Sequence, residues 1–275
     1  FLLKEIYEQP HVIENSIISY RENAQKLAKL IQDAKGTFML GCGTASYAAL
    51  AGTYLFSSIA RVHVNFSIGS EFSYLEDYLT EKSLLIPISQ SGETIDVIDP
   101  VNKAKNKGAK IASVVNVMGS TLYRVSDYKF LLNAGPEKAV VSTKAFIAMY
   151  SLLLLTAYSI IKKENQGIEL LLKASENLSH ILGNTESIKK TSEKLKKHEH
   201  VFIIGRGLSY VAALEASLKL KETAYIHAEG FAGGELKHGV IALIEKGTPC
   251  IVIAPNDQTF DEIISNAEQL KSRGA

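Results

Sequence analysis

One pattern constrains this chain more than any other: an apolar run, a glycine turn and a helix of small residues, written twice. "FMLGCGTASYAALAG" (Phe38–Gly52) returns as "FIIGRGLSYVAALEA" (Phe202–Ala216), with Gly41 matching Gly205, Gly43 matching Gly207, and Ala48, Ala49 and Leu50 matching Ala212, Ala213 and Leu214. Downstream, "VIDPVNKAKNKGAK" (Val97–Lys110) pairs with "IISNAEQLKSRGA" (Ile263–Ala275) at nearly the same offset. Two matches in register point to duplication of one supersecondary unit. Short apolar strands separated by helices specify a parallel sheet covered on both faces. The expected fold is α/β, with two tandem doubly wound, mostly parallel sheets.

In the first copy, strands are expected at Thr37–Gly41, Val62–Phe66, Leu84–Ser89, Lys110–Asn116 and Tyr128–Leu132. Helices are expected at Ser46–Ala60, Ile95–Lys107, around Tyr123 and at Thr143–Lys163. The spacing over Pro10–Asp33 predicts a helical arm that begins after a turn at Pro10. The domain boundaries read as an arm over 1–35, a first domain over 36–163, a charged helical connection over 164–199 with breaks at Gly167 and Gly183, and a second domain over 200–275. On the repeat register Ala275 corresponds to Ala109. Counterparts of the last two strands are therefore expected beyond the chain end, and the sequence reads as part of a longer protein.

The net charge of +1 leaves no electrostatic footprint for nucleic acid or an anionic membrane surface. The longest apolar run, Ala145–Ile161, contains Ser and Tyr positions and reads as a buried helix. The two cysteines, Cys42 and Cys250, are isolated and fit reduced thiols in a cytoplasmic protein. No metal-ligand motif is present, and no metal or other cofactor is expected.

In a doubly wound sheet, ligands bind beyond the carboxyl ends of the strands, near a reversal of strand order. "SQSGET" follows a strand and precedes a helix. Ser89, Gln90, Ser91 and Thr94 offer neutral donors, and Gly92 lets the backbone approach a ligand closely. Such a loop at a helix N-terminus suits the phosphate of a small metabolite; an ordinary Ser/Thr-capped helix start is the alternative. "GCGTAS" lacks the third glycine of a dinucleotide fingerprint, since Ser46 stands there, and no P-loop lysine follows. Thr44 and Ser46 could reach phosphate or sugar hydroxyls, or simply close a tight turn. Lys219 and Glu222 share a helix face at i, i+3. The glycine-rich "GFAGGELKHG" then delivers Glu235, Lys237 and His238. A carboxylate and a histidine near a phosphate grip suit proton transfer beside a sugar carbonyl. His227 reads as a core or supporting histidine.

"KEIYEQP", "GCGT", "SQSGET", "VSTKAF", "LKLKE" and "HAEGFAGGELKHG" together resemble the isomerase half of the glutamine–fructose-6-phosphate aminotransferases (glucosamine-6-phosphate synthases), which is built of two SIS (sugar isomerase) domains. The resemblance spans nearly the whole chain. It implies phosphate binding by Ser89, Gln90, Ser91 and Thr94, and contact of sugar hydroxyls and carbonyl with Thr44, Val140 and Ser142. It implies that Glu222 moves a proton between C1 and C2, and that Lys219 lies in the active site. It further implies that His238 opens the ring from across a homodimer interface, so that the active site is shared. The implied ligands are fructose 6-phosphate, glucose 6-phosphate and glucosamine 6-phosphate.

Three departures bear on this. Ala45 stands where the family commonly has serine, and Ser46 is the candidate replacement. A glutaminase domain is expected upstream, and a tail carrying a Schiff-base lysine downstream. The chain as given is thus expected to bind sugar phosphate and interconvert fructose and glucose 6-phosphates, without complete amino transfer. Two alternatives are a stand-alone SIS enzyme such as a glucosamine-6-phosphate deaminase, and a non-catalytic sugar-phosphate-binding regulator. Retention of Glu222 and His238 argues against the second.

Overall fold

A computed structural model describes every residue from Phe1 to Ala275. The chain forms two compact units, Phe1–Gly183 and Asn184–Ala275.

The first unit runs α1 (Leu2–Asp33), β1 (Gly36–Gly41), α2 (Thr44–Leu55), β2 (Asn65–Ile68), α3 (Gly69–Phe72), β3 (Ser83–Ser89), α4 (Ile95–Asn106), β4 (Lys110–Val115), α5 (Thr121–Val125), β5 (Tyr128–Leu131), α6 (Lys144–Ile160) and α7 (Glu164–Gly183). Its five strands are all parallel, in the order β2-β1-β3-β4-β5. Alternate strand residues feed two cores. Met39, Ile86, Ile88 and Val114 pack with α1, α2 and α6, while Leu40, Leu85, Ile111 and Val115 pack with Val97 and Val101 of α4 and Leu122 of α5. Burial on both faces explains why β3 is an unbroken buried run. After β1 the chain moves outward to β2, then returns to place β3 on the other side of β1. In doubly wound sheets, such a reversal is where ligands bind, here at the carboxyl ends of β1 and β3.

The second unit runs α8 (Glu186–Leu195), β6 (His200–Gly205), α9 (Leu208–Ala224), β7 (His227–Ala232), β8 (Cys250–Val252) and α10 (Phe260–Ser272). Its parallel sheet has the order β7-β6-β8. Between β7 and β8 lie two 3-10 turns, Gly233–Lys237 and Val240–Leu243. The two strand-to-helix turns repeat in backbone as well as sequence: Gly43 sits at φ 54, ψ −130 and Gly207 at φ 56, ψ −128.

Several expectations are corrected. Helix α1 starts at Leu2 and runs through Pro10, although proline removes one helical donor. Its first turns are held from outside: Glu5 accepts the N–H groups of Lys138 and Ala139, and Glu8 pairs with Lys144 at 2.6 Å. Strand β2 begins at Asn65 rather than Val62. The chain first makes a π-helical turn over Phe56–Ala60 and reverses at left-handed Arg61. Gly167 lies inside α7 instead of breaking it, because a side chain there would meet the Tyr158 ring at 3.0 Å. The connection over 164–199 is not one solvated stretch. Helix α7 buries Gly167, Leu171 and Ser175 in the first unit, whereas α8 buries nothing. The run Ala145–Ile161 is the buried α6, and no helix is long and apolar enough to cross a membrane.

Candidate functional site

In the first unit, the loop from Ser89 to Thr94 sits at the carboxyl end of β3, on the strand-order reversal. Thr94 is the N-cap of α4, yet its side chain makes no capping bond; its hydroxyl lies 3.1 Å from Ser89 Oγ. Ser89 Oγ also accepts the Gly92 N–H at 3.0 Å, and Ser91 Oγ accepts the Glu93 N–H at 3.1 Å. The hydroxyls therefore shape the loop instead of closing the helix end. Gly92 adopts φ +67, and a Cβ on it would stand 2.1 Å from the Ser120 hydroxyl. Around it, Asn116 N–H donates to the Gln90 carbonyl and Leu122 N–H to the Gly92 carbonyl. Glu93 accepts the Thr121 N–H at 2.8 Å, and this bonding at Thr121, with Arg124 nearby, holds its carboxyl below the usual range.

At the neighbouring turn after β1, Thr44 and Ser46 are both buried. Ser46 donates its hydroxyl to the Gly43 carbonyl at 2.7 Å, a contact that closes the turn. Cys42 and Cys250 are free and half-buried. Burial raises both thiols, that of Cys250 to about 11. In the segment before α6, Val140 is almost fully exposed, and Ser142 donates to Glu137 at 2.9 Å. The same Glu137 carboxylate accepts the Thr143 N–H at 2.8 Å, at the start of α6.

In the second unit, Lys219 on α9 stands 2.7 Å from Glu222 and 3.2 Å from Glu215. This is not the solvated surface pair that an isolated i, i+3 spacing suggests, because the Glu215 side chain is only 11% exposed. Glu235, Lys237 and His238 are exposed on and just after the 3-10 turn Gly233–Lys237, with His238 donating its N–H to the Glu235 carbonyl at 2.9 Å. His227 is exposed at the amino end of β7, contrary to the core role expected. Its Nδ1 lies 3.1 Å from that of His200, its register partner on β6. No group of three or more His, Cys, Asp or Glu side chains is arranged to hold a metal ion.

The SIS domain family model matches residues 30–159 and 194–275. The chain belongs to the SIS domain family. This SIS chain is 40% identical over 284 residues to glutamine–fructose-6-phosphate aminotransferase (isomerizing) of Thermococcus kodakarensis, covering 100% of the chain and 47% of the relative. It is 41% identical over 290 residues to the Brucella abortus protein of the same name, covering 100% of the chain and again 47% of the relative. It thus spans about half the length of the curated relatives it matches. Among solved structures, it superposes on the C-terminal domain of glucosamine-fructose-6-phosphate aminotransferase from Francisella tularensis with a TM-score of 0.84 and 34% identity, covering 100% of this chain and 81% of that one.

Four residues of this SIS chain that shape the candidate site escape a reading of motifs. Glu215 carried a visible signal, since it is i−4 to Lys219. Glu93 and Arg206 stand inside quoted motifs and Glu137 does not, but nothing in the sequence signals their partners, which are respectively Thr121, the pair Glu262 and Asn266, and the 142–145 segment.

Proposed function

We propose that the chain is the sugar-phosphate isomerase portion of a glutamine–fructose-6-phosphate aminotransferase, built of two tandem SIS domains. The observation that carries this is the Ser89–Thr94 loop. At the strand-order reversal, its N-cap hydroxyl is not consumed by capping α4 and a glycine is locked in a left-handed turn. Backbone N–H groups at the start of a helix and neutral hydroxyls can hold a phosphate that must bind and leave. The whole-chain identity to the named aminotransferases supports the same reading.

In this reading Ser89, Gln90, Ser91 and Thr94 hold the phosphate of fructose 6-phosphate, with Thr44, Val140 and Ser142 facing the sugar. His238 moves the anomeric hydroxyl proton onto the ring oxygen, which opens the ring. Glu222 then takes a proton from C1 and returns it to C2 through an enediol, converting ketose to aldose; Lys219 orients its carboxylate. In the complete protein, ammonia supplied by a glutaminase domain would make the product glucosamine 6-phosphate. A homodimer is the proposed assembly.

The test is an NMR assay of fructose 6-phosphate in deuterium oxide, with the unsubstituted chain beside Glu222→Gln. Glucose 6-phosphate is expected only with the unsubstituted chain. Equal conversion by both would remove Glu222 as the base. Absence of fructose 6-phosphate binding by either would overturn the phosphate site.

A further inference from the structure

The turn that carries Glu235 and His238 has an exposed outer face, so something beneath it must fix its position. Leu236 is one anchor, fully buried with Phe202, Phe231 and Ile263. The other lies under the preceding glycines. A Cβ on Gly233 would stand 2.7 Å from Asn266 Oδ1, and one on Gly234 would stand 3.7 Å from both terminal nitrogens of Arg206. The backbone here lies directly against a guanidinium and a buried amide.

Arg206 occupies the glycine turn after β6, at the position held by Cys42 in the first unit. Its Nε donates to Asn266 Oδ1 at 3.0 Å and its Nη1 to Glu262 at 2.8 Å. Glu262 and Asn266 are one turn apart on α10, so a single planar fork spans both. Lysine has one nitrogen on a flexible stem and cannot reproduce that geometry. The Glu262 contact is exposed and adds little stability by itself, but it fixes one arm of the guanidinium fork in place. Asn266 is buried, and losing its donor leaves an amide oxygen unsatisfied.

Resting on the function proposed above, we propose that Arg206 is a positioning residue for ring opening. It clamps Gly233–Gly234 between the β6–α9 turn and α10, and so sets where His238 stands. Arg206 itself touches no reacting atom. Because a displacement of about 1 Å in a reacting group can cost roughly 100-fold in rate, relaxing this clamp lowers turnover more than affinity.

The experiment compares the unsubstituted chain with Arg206→Lys, and with Glu262→Ala as a milder variant at an exposed partner. Fructose 6-phosphate binding is measured by calorimetry, its conversion to glucose 6-phosphate by NMR, and amide exchange over Gly234–His238 by mass spectrometry. Arg206→Lys is expected to reduce kcat by about 10- to 100-fold with Kd changed less than about 2-fold, and to speed exchange over that turn. Glu262→Ala is expected to give a smaller effect of the same kind. If Arg206→Lys unfolds the unit, Glu262→Ala alone decides the matter by the same readings. Unchanged kcat and exchange in a folded variant overturn the positioning role, as does a loss explained wholly by a raised Kd. An unsubstituted chain that does not convert the sugar instead rejects the function proposed above. The exchange comparison still tests the clamp in that case.

Discussion

Glu93 and Thr121 are joined by a 2.8 Å hydrogen bond in which the Glu93 carboxylate accepts the first N–H of α5. The bond closes the candidate phosphate loop onto the neighbouring turn and gives α5 the acidic cap that its own N-cap, Ser120, does not provide.

This bond predicts an acid limit for the loop. Hydrogen bonding to Thr121 lowers the Glu93 pKa from its usual 4.5. A lowered folded-state value means the stabilisation is complete above the ordinary glutamate range and fades as pH falls through the lower folded value. Exchange of the Thr121 amide is expected to be slow, after correction for intrinsic rate, down to that range and to accelerate below it. Glu93→Gln should show faster exchange at neutral pH without this acid step. A variant as protected as the parent would show that the carboxylate is not what holds the loop.

At Gly92 the backbone and its surroundings both require glycine. Its φ is +67, and a Cβ would overlap the Ser120 hydroxyl at 2.1 Å. Gly92→Ala is expected to cost about 2–4 kcal/mol in chemical denaturation, combining left-handed strain with the overlap. Gly92→Ala with Ser120→Gly should recover the overlap part and leave the strain, roughly 1–2 kcal/mol. Full recovery in the double variant would mean that left-handed strain contributes nothing.

Lys219 sits between two carboxylates, and its removal should be felt by stability as well as chemistry. Lys219→Met leaves Glu215, 11% exposed, without its 3.2 Å partner. The expected loss is about 1–3 kcal/mol, less than for a fully buried pair because Lys219 and Glu222 keep some solvent. Adding Glu215→Gln should restore much of that stability but not sugar isomerisation. Denaturation and the NMR assay read the two effects separately. A stability loss unchanged by Glu215→Gln would show that the pair is not its source.

Parts of this design were local enough to read directly. Ser89, Gln90, Ser91 and Thr94 lie within six consecutive residues, so a single strand-to-helix turn must gather them. The strand and helix alternation of the first unit, with its parallel sheet, was legible for the same reason, since hydrophobic period and glycine turns are short-range signals. Departures came where an element's surroundings override its own local preference. Pro10 is helical because the 138–144 segment holds the turns before it, and β2 starts late because α2 overruns into a π turn. At Ser46, where ligand contact and turn closure were both open, the hydroxyl donates to the Gly43 carbonyl three residues back.

The sequence alone determined the alternation of strands and helices in the first unit, the repeated glycine turn before α2 and α9, and which side chains the Ser89–Thr94 loop gathers. All of these depend on residues a few positions apart. Tertiary structure decided the strand order that puts the Ser89–Thr94 loop beside the turn after β1. It also decided that Glu93 meets Thr121 and that Arg206 reaches Asn266 and Glu262. Those outcomes depend on how sheets and helices pack. Packing brings together groups far apart in the chain, and the local sequence around either group does not specify its partner.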